Sequence, residues 1–406
     1  MRNIILKQKE ERDRLLSLPY LLRDTRYNNE ELLKSQQIKL ITGPRRAGKS
    51  TQALQMLKGK NFAYLNFDDA NLLAKWDEDL VMSTLNDIYP DYDFLMLDEV
   101  QNLDNWNLWV SKLYRNGTNL VITGSNAKLL SSEMATVLTG RYLQVEIYPF
   151  SIHEMFRYCK TTETELPAAA DDYLHNGGYP ETIKVRSITA DYLSTLFDSI
   201  IWKDVAHRHR VRNITDLNDI ATYLLSNFCN PLSANQITDD LSLSSVTTTK
   251  KYMEYLKEPY LFFYLPRYNN KLQLMKKASQ KAYIIDNGFV AAKAFSLSAN
   301  SGRLLENQVF VELLRKGYSP DTSMFYYRSR NDKETDFVLR HGYKIESLIQ
   351  VCYDLSSAKT QQREVNSIIE CAQELKCNNL MIITKDEERI IEKDGYKINV
   401  IPVTKF

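Results

Sequence analysis

The sequence predicts an α/β protein: a parallel sheet comes first, a mostly helical region follows, and a small α/β domain comes last. Three observations predict it. Between about residues 30 and 150, the apolar runs IKLITG, NFAYLNF, YDFLMLD, TNLVITG and YLQVEIY alternate with helical stretches. Continuous β-branched and aromatic runs of this kind mark parallel strands buried on both faces. From 151 to 300, HEMFRYC, ADYLSTLFDSIIWKDV and ITDLNDIATYLLSNFC carry apolar residues three and four apart, the period of amphipathic helices. From 301 to 406 the order is the helix GRLLENQVFVELLRKG, the strands MFYYRS, TDFVLR and ESLIQVCYDL, the helix QQREVNSIIECAQEL, and the strands NLMIIT and INVIPV. Three domains, 1–150, 151–300 and 301–406, suit a chain of 406 residues when domains run to roughly 100–200.

Composition narrows the class. Hydrophobic residues at 44% and charged residues at 25% describe a folded globular chain. With 52 Lys and Arg against 51 Asp and Glu, the net charge of +1 excludes a globally basic nucleic-acid binder, so any DNA contact must be local. The opening MRNIILKQKEERDRLL is charged and amphipathic, and no apolar run approaches the roughly 18 residues of a membrane span. A cytoplasmic protein without a membrane partner is expected. Cysteines 159, 229, 352, 371 and 377 are odd in number and lack CxxC spacing. They are expected to be buried or half-buried apolar filler, not disulfides or zinc ligands.

The chemistry concentrates where IKLIT runs into Gly43-Pro44-Arg45-Arg46-Ala47-Gly48-Lys49-Ser50, followed by the helical STQALQML. This is GxxxxGK[ST] in the context its mechanism demands. Gly43 and Gly48 let the backbone curl so that its N–H groups face phosphates, and the helix N-terminus adds a favourable dipole. Lys49 is expected against the β- and γ-phosphates and the Ser50 hydroxyl on magnesium, while Thr51 is open between α-phosphate contact and helix capping. Fifty residues on, the strand Phe94-Leu95-Met96-Leu97 ends in Asp98-Glu99. Set beside the phosphate-loop strand, Asp98 would hold magnesium through its water shell and Glu99 would polarise the attacking water. A second acid argues for hydrolysis, since binding alone needs none.

The next strand, Leu120-Val121-Ile122-Thr123, ends in Gly124-Ser125-Asn126. Ser125 and Asn126 can each reach the γ-phosphate or the lytic water, or serve as ordinary turn residues. Arg141, in LTGRY, offers a guanidinium to the γ-phosphate of its own or a neighbouring subunit, with a surface salt bridge as the competing explanation.

In the middle region, LSANQITDDLSLSSVTTTKKYMEYLKE reads as helix, turn, helix, and YLFFYLPRYNNKLQLM as two strands around Asn269-Asn270. Together they read as a winged helix-turn-helix. Lys250 and Lys251 fall in its second helix, and Lys271, Lys276, Lys277 and Lys281 cluster around the wing. These lysines suit DNA phosphates, and they equally suit a solvated face on a packing module. His207-Arg208-His209-Arg210-Val211-Arg212 is a second basic stretch, for nucleic acid, nucleotide or an adjacent subunit.

The order GPRRAGKST, YLNFDD, LMLDEVQN, VITGSN, LTGRYLQVEIYPFSIHEMF, NGGYPE, WKDVAHRHRVRN and a late LLEN with KETDFV resembles prokaryotic AAA-type ATPases that carry a C-terminal domain of unknown function. The resemblance spans nearly the whole chain. It implies an AAA core, a helical lid with a winged helix, and a C-terminal domain similar to PD-(D/E)xK nucleases. It also implies that Gly178-Tyr179-Pro180 is a lid segment near the adenine; read from the residues alone, GGYP is a turn.

A nuclease of that fold needs a carboxylate cage for magnesium and a lysine. Glu306 and Asp336 fit two places, but Gln350-Val351-Cys352 stands where an E-x-K pair is expected. Glu346 shares the strand face, yet Leu348 follows where the lysine belongs. The domain is therefore expected to be nuclease-like in fold and inactive. The whole reads as an ATP-binding, magnesium-dependent ATP hydrolase acting as a switch, homo-oligomeric or DNA-associated, with a nucleotide-gated scaffold of little turnover as the alternative.

Overall fold

The structure is a computed structural model describing residues 1–125, 138, 140–294 and 301–406. It divides into two compact units: Met1–Pro149 with Glu258–Tyr260, and Phe150–Lys257 with Leu261–Phe406.

In the first unit, β1 (Ile38–Thr42), β2 (Phe62–Asn66), β3 (Phe94–Asp98), β4 (Leu120–Gly124) and β5 (Tyr142–Glu146) form one sheet in the order β2-β3-β4-β1-β5. Every pairing is parallel. Strand side chains alternate between faces, and here both faces are covered. Ile38, Leu40, Ala63, Leu65, Leu95, Leu97, Leu120 and Ile122 pack with Trp106 and Trp109. Ile41, Phe62, Tyr64, Phe94, Met96 and Val121 pack with Ala53, Leu54 and Leu57, which follow the phosphate loop. Two apolar faces per strand are why these segments read as continuous apolar runs.

One expectation is corrected. The strand ending in Asp98 is not beside the phosphate-loop strand: β4 lies between β1 and β3. At about 4.8 Å per strand, Asp98 belongs to a strand roughly 10 Å from β1, so the intervening β4 lines the same site.

The second unit begins with helix Ile152–Cys159, whose Ser151 and Glu154 form a reciprocal capping box. Helix Thr189–Ser199 runs on into a π-helical stretch, Ile200–His207. Helices Ile214–Ser226, Ala234–Asp240 and Val246–Lys257 then accompany β6 (Pro231–Leu232), β7 (Phe262–Leu265) and β8 (Gln280–Ile284), an antiparallel sheet ordered β6-β8-β7. Here too a detail differs from expectation: Leu272–Lys277 is a short helix, and the returning strand is QKAYI. Leu272 and Leu274 are exposed, whereas β8 is paired on both edges and buried from Lys281 to Ile284. Burial, not the apolar residues nearest Asn269-Asn270, selected the strand.

The GGYP turn is a packing junction of this unit. A Cβ at Gly177, whose φ is +71°, would fall 1.7 Å from Asp286 Oδ1, and the Gly178 N–H donates to Asp286 Oδ2 at 2.8 Å. Tyr179 is fully buried, and Pro180 opens helix Pro180–Ile183, where its missing N–H costs nothing.

The C-terminal part builds a six-stranded sheet, β13-β14-β12-β11-β10-β9, from β9 (Met324–Arg328), β10 (Glu334–His341), β11 (Lys344–Val351), β12 (Leu380–Thr384), β13 (Arg389–Lys393) and β14 (Tyr396–Pro402). The strands β11, β12 and β14 run parallel; the remaining pairings are antiparallel. Helix Ala358–Leu375 buries Val365, Ile368, Ile369 and Ala372 against the sheet. Edge strand β13 was not expected, because RIIEK is mostly exposed and lacks a buried apolar face. All five cysteines are free; four are buried, but Cys159 is exposed on the last turn of its helix and is not core filler.

Candidate active site

At the end of β1 the chain makes the backbone excursion that its glycines permit. Gly43 has φ +142°, and a Cβ there would lie 2.0 Å from the Ile147 carbonyl oxygen. Gly48 has φ +94° and caps helix Lys49–Met56. Both conformations are in the region that L side chains avoid. Between them Pro44 and Ala47 are buried, Arg45 is half-buried and Arg46 is exposed. The cradle therefore ends on the free N–H groups of a helix N-terminus, an anion-binding arrangement.

Lys49 is 4% exposed and donates from Nζ to the Pro44 carbonyl at 3.0 Å, which holds its ammonium over the loop. Its Nζ also lies 3.7 Å from Glu99 Oε1. Ser50 donates from Oγ to Asp98 Oδ1 at 2.7 Å, so these two, 48 residues apart in sequence, meet. Thr51 lies half-buried in the first turn of the helix.

Burial pushes the Asp98 carboxyl up to about 6, with Glu99 adding repulsion, while hydrogen bonds from Thr123 and Ser50 and the charge of Lys49 pull the other way. Tyr64 Oη donates to its second oxygen at 3.2 Å. Glu99 is the opposite case. Burial alone would raise it, but the Lys49 ammonium, a hydrogen bond from Gln101, the Arg45 charge and Ser125 outweigh burial and hold it below the ordinary carboxylate range. Glu99 sits at φ +51°, and its N–H donates to Thr123 Oγ1 at 3.0 Å. A left-handed residue at a strand end is strained backbone, kept in place here by that bond. Adjacent carboxylates thus differ in charge preference, an arrangement typical of acid–base sites.

Ser125 is buried beside this pair, its Oγ accepting from Gln101 Nε2 at 3.4 Å. Asn126 lies outside the described residues. Arg141 is not at the site of its own chain. It precedes β5, its carbonyl accepts from Ile38 N at 2.8 Å, and its guanidinium lies over Tyr114 and donates to Ser111 Oγ at 3.4 Å. Ile38 begins β1 whereas Gly43 follows its end, so the whole strand, about 15 Å, separates Arg141 from the phosphate loop. Pro180 belongs to the second unit.

Four contributors had escaped sequence reasoning. Arg23, 8% exposed, donates from Nη1 to the Ala47 carbonyl at 2.8 Å and from Nη2 to the Tyr148 carbonyl at 2.6 Å, bracing the loop from outside. Its segment, LPYLLRDTRY, carries no motif. Thr123, Tyr64 and Gln101 complete the carboxylate network; Thr123 was legible only as the residue before GSN, and Tyr64 only as strand core.

The donors suit magnesium. The Ser50 hydroxyl and Asp98 carboxylate are hard oxygen donors already within hydrogen-bonding distance, and no soft ligand intrudes.

A glycine-built phosphate cradle, a buried lysine over it, and a Ser–Asp pair backed by a second acid define a P-loop ATPase domain of the AAA type. Residues 35–156 match the family described as AAA domain; 168–300 and 301–406 match two domains of unknown function, DUF8612 and DUF4143. An uncharacterized protein of Methanocaldococcus jannaschii is 31% identical over 399 residues, covering 91% of this chain and 88% of its own. One from Haemophilus influenzae is 32% identical over 343 residues, covering 78% and 83%. The chain belongs to the family of these proteins, with an AAA-type domain at its head. Among solved structures, a Walker-type ATPase of Pyrococcus abyssi is similar with a TM-score of 0.47 at 16% identity, over 68% of this chain and 99% of that one. DnaA of Aquifex aeolicus bound to AMPPCP follows with 0.30 at 17%, over 56% and 84%. Among the described residues no helix is long and apolar enough to cross a membrane.

Proposed function

We propose that the protein hydrolyses ATP and uses the nucleotide state as a switch. The observation that carries this is Glu99, held ionised by Lys49 and Gln101 next to the Ser50–Asp98 pair. Gly43 to Thr51 bind the phosphates through backbone N–H groups, and Lys49 exchanges the Pro44 carbonyl for phosphate oxygen. Magnesium, held by Ser50 and Asp98, supplies charge neutralisation to the phosphates. Glu99 accepts a proton from water. The water oxygen bonds to the γ-phosphorus as the bond from that phosphorus to the β–γ bridging oxygen breaks, leaving ADP and phosphate. Ser125 and Asn126 steady the water or the γ-phosphate, and Pro180 closes on the adenine.

A route for switching is supported by Tyr260. Its hydroxyl donates to Thr42 Oγ1 at 3.0 Å, one residue before Gly43, and the segment Glu258–Tyr260 that carries it belongs to the first unit although the chain on either side of that segment belongs to the second. A change at the phosphate loop is thus felt by the segment Glu258–Tyr260 through one side chain. The position of Arg141, a strand's length from its own loop, favours a guanidinium supplied from a neighbouring subunit, hence a homo-oligomer.

The three domains 1–150, 151–300 and 301–406 act as motor, helical lid with winged helix, and inactive nuclease-like appendage. The order β6-β8-β7 with its three helices supports the winged reading. DNA would meet the exposed Lys250, Lys251, Lys271, Lys276 and Lys277. Lys281 is not among them, being 1% exposed. The expected location is the cytoplasm.

Phosphate release is the test. Lys49→Ala should lose nucleotide binding and turnover together, whereas Glu99→Gln should keep binding and lose turnover by about 100-fold or more. Tight ATP binding without Lys49-dependent turnover would instead make ATP a structural ligand of a scaffold.

A further inference from the structure

The C-terminal cluster that resembles a nuclease centre contains a cation of its own. Asp336 on β10 and Glu306 on helix Ser301–Arg315 approach each other as the resemblance implies, and Glu334, two residues before Asp336 on the same strand face, joins them. Into the middle projects Lys281 from β8, the central strand of the preceding small sheet. Its Nζ lies 2.9 Å from Glu306 Oε1, 2.7 Å from Glu334 Oε1 and 3.0 Å from Asp336 Oδ1. Three carboxylate oxygens match the three protons of an ammonium, so its hydrogen-bonding capacity is filled. The side chain is 2% exposed, which leaves no path for a phosphodiester to reach it.

The surroundings fit an ammonium, not a metal ion. Asp336 Oδ2 accepts from Val351 N at 2.9 Å, Glu306 Oε1 accepts from Tyr283 Oη at 2.6 Å, and Glu334 Oε2 accepts from Arg328 Nε at 3.0 Å. Gln350 Nε2 donates to Glu364 Oε2 at 2.9 Å, and the exposed Glu346 accepts from Tyr318 Oη at 3.1 Å, so Glu346 is engaged outside the cluster. Among the described residues no group of three or more His, Cys, Asp or Glu is arranged to hold a metal. Burial works against the charged form of Lys281, but Glu306, Asp336 and Glu334 outweigh it and hold the ammonium well above the ordinary lysine range.

We propose that Lys281 is a built-in counter-ion: its ammonium takes the place of the divalent cation that a nuclease-like cluster of Glu306, Glu334 and Asp336 would otherwise bind. It closes the cluster to metal and to phosphodiester cleavage, and it fastens β8 to the C-terminal domain. The fastening is continuous along the strand, because Asn307 accepts from Ile284 N at 2.9 Å and donates to Ile284 O at 2.8 Å. The metal implied by the nuclease-like resemblance therefore does not fit this chain; a lysine from outside the domain does its electrostatic work.

The test uses the full chain without nucleotide and Mn2+ as probe, followed by electron paramagnetic resonance, comparing each protein with its Asp336→Asn partner. The wild type is expected to show no Asp336-dependent Mn2+ binding and no plasmid cleavage. Lys281→Met should acquire one Mn2+ site, weakened at least about tenfold by adding Asp336→Asn. Asp336-dependent binding or cleavage by the wild type, or a folded Lys281→Met without the new site, overturns the proposal. Should Lys281→Met fold poorly, Lys281→Met/Glu306→Gln/Asp336→Asn decides. Stranding buried carboxylates should lower the thermal midpoint by about 10 °C, and removing two of them with the lysine should restore at least half of that loss. No restoration would show that Lys281 is not their counter-ion.

Discussion

Replacing Asp98 by Asn separates the stability of the site from its chemistry. Asp98 is buried, and its folded-state pKa is raised from 3.8 to about 6, so ionising it in the folded protein is unfavourable. A rise of that size corresponds to about 3 kcal/mol. Asn is nearly isosteric: its carbonyl oxygen accepts from Ser50 and Thr123 as Oδ1 does, and its amide faces the Tyr64 hydroxyl. The sign follows from linkage. Well below pH 3.8 the carboxyl is protonated in both folded and unfolded chains, and the variant gains nothing. As pH rises from 3.8 through about 6 the unfolded chain gives up the proton that the folded carboxyl retains, and the advantage of Asn grows to its full value, complete once the folded carboxyl also ionises. At pH 8 the nucleotide-free variant should therefore melt about 6–12 °C higher in the transition of its first unit, the difference vanishing at about pH 3. Scanning calorimetry across pH, paired with phosphate release, measures both arms; turnover should fall to background because the carboxylate proposed to hold magnesium is gone. A variant no more stable than wild type at pH 8, or a difference independent of pH, would refute the claim that burial dominates at Asp98.

Arg23→Met removes donors to the Ala47, Tyr148 and Pro149 carbonyls and should loosen the loop, raising KM for ATP several-fold in steady-state assays; an unchanged KM in a folded variant would remove Arg23 from loop positioning. Arg141→Ala should bind ATP normally at every concentration. Mixed with Glu99→Gln, whose own turnover is lost, it should recover part of the activity if the guanidinium acts across subunits, and none if Arg141 merely packs on Tyr114.

The legible parts were local. Gly43 to Ser50 is a contiguous loop whose function lies in its backbone, and two glycines in positive φ announce it without reference to the rest of the chain. Strands β1 to β4 were legible because both faces of their sheet are covered, which removes polar residues from the run. Asp98 and Glu99 could be named from a strand end, but what makes them differ could not, since Thr123, Tyr64, Gln101 and Lys49 come from other segments. Edge strand β13 and the helix at Leu272–Lys277 were missed where exposure erased the apolar pattern.

The sequence by itself determined the α/β class, the glycine-built loop after β1 and the acid pair at the end of β3, all written in short-range spacing and burial periodicity. The tertiary structure alone decided the strand order that places β4 between the phosphate-loop strand β1 and the Asp98 strand β3, the removal of Arg141 to the opposite end of the sheet, the bracing by Arg23, and the conversion of Lys281 from an apparent surface cation into a buried one. Each depends on groups far apart in the chain meeting in low dielectric, where a neighbour within a few ångströms sets the charge, and residue spacing carries no record of that neighbour.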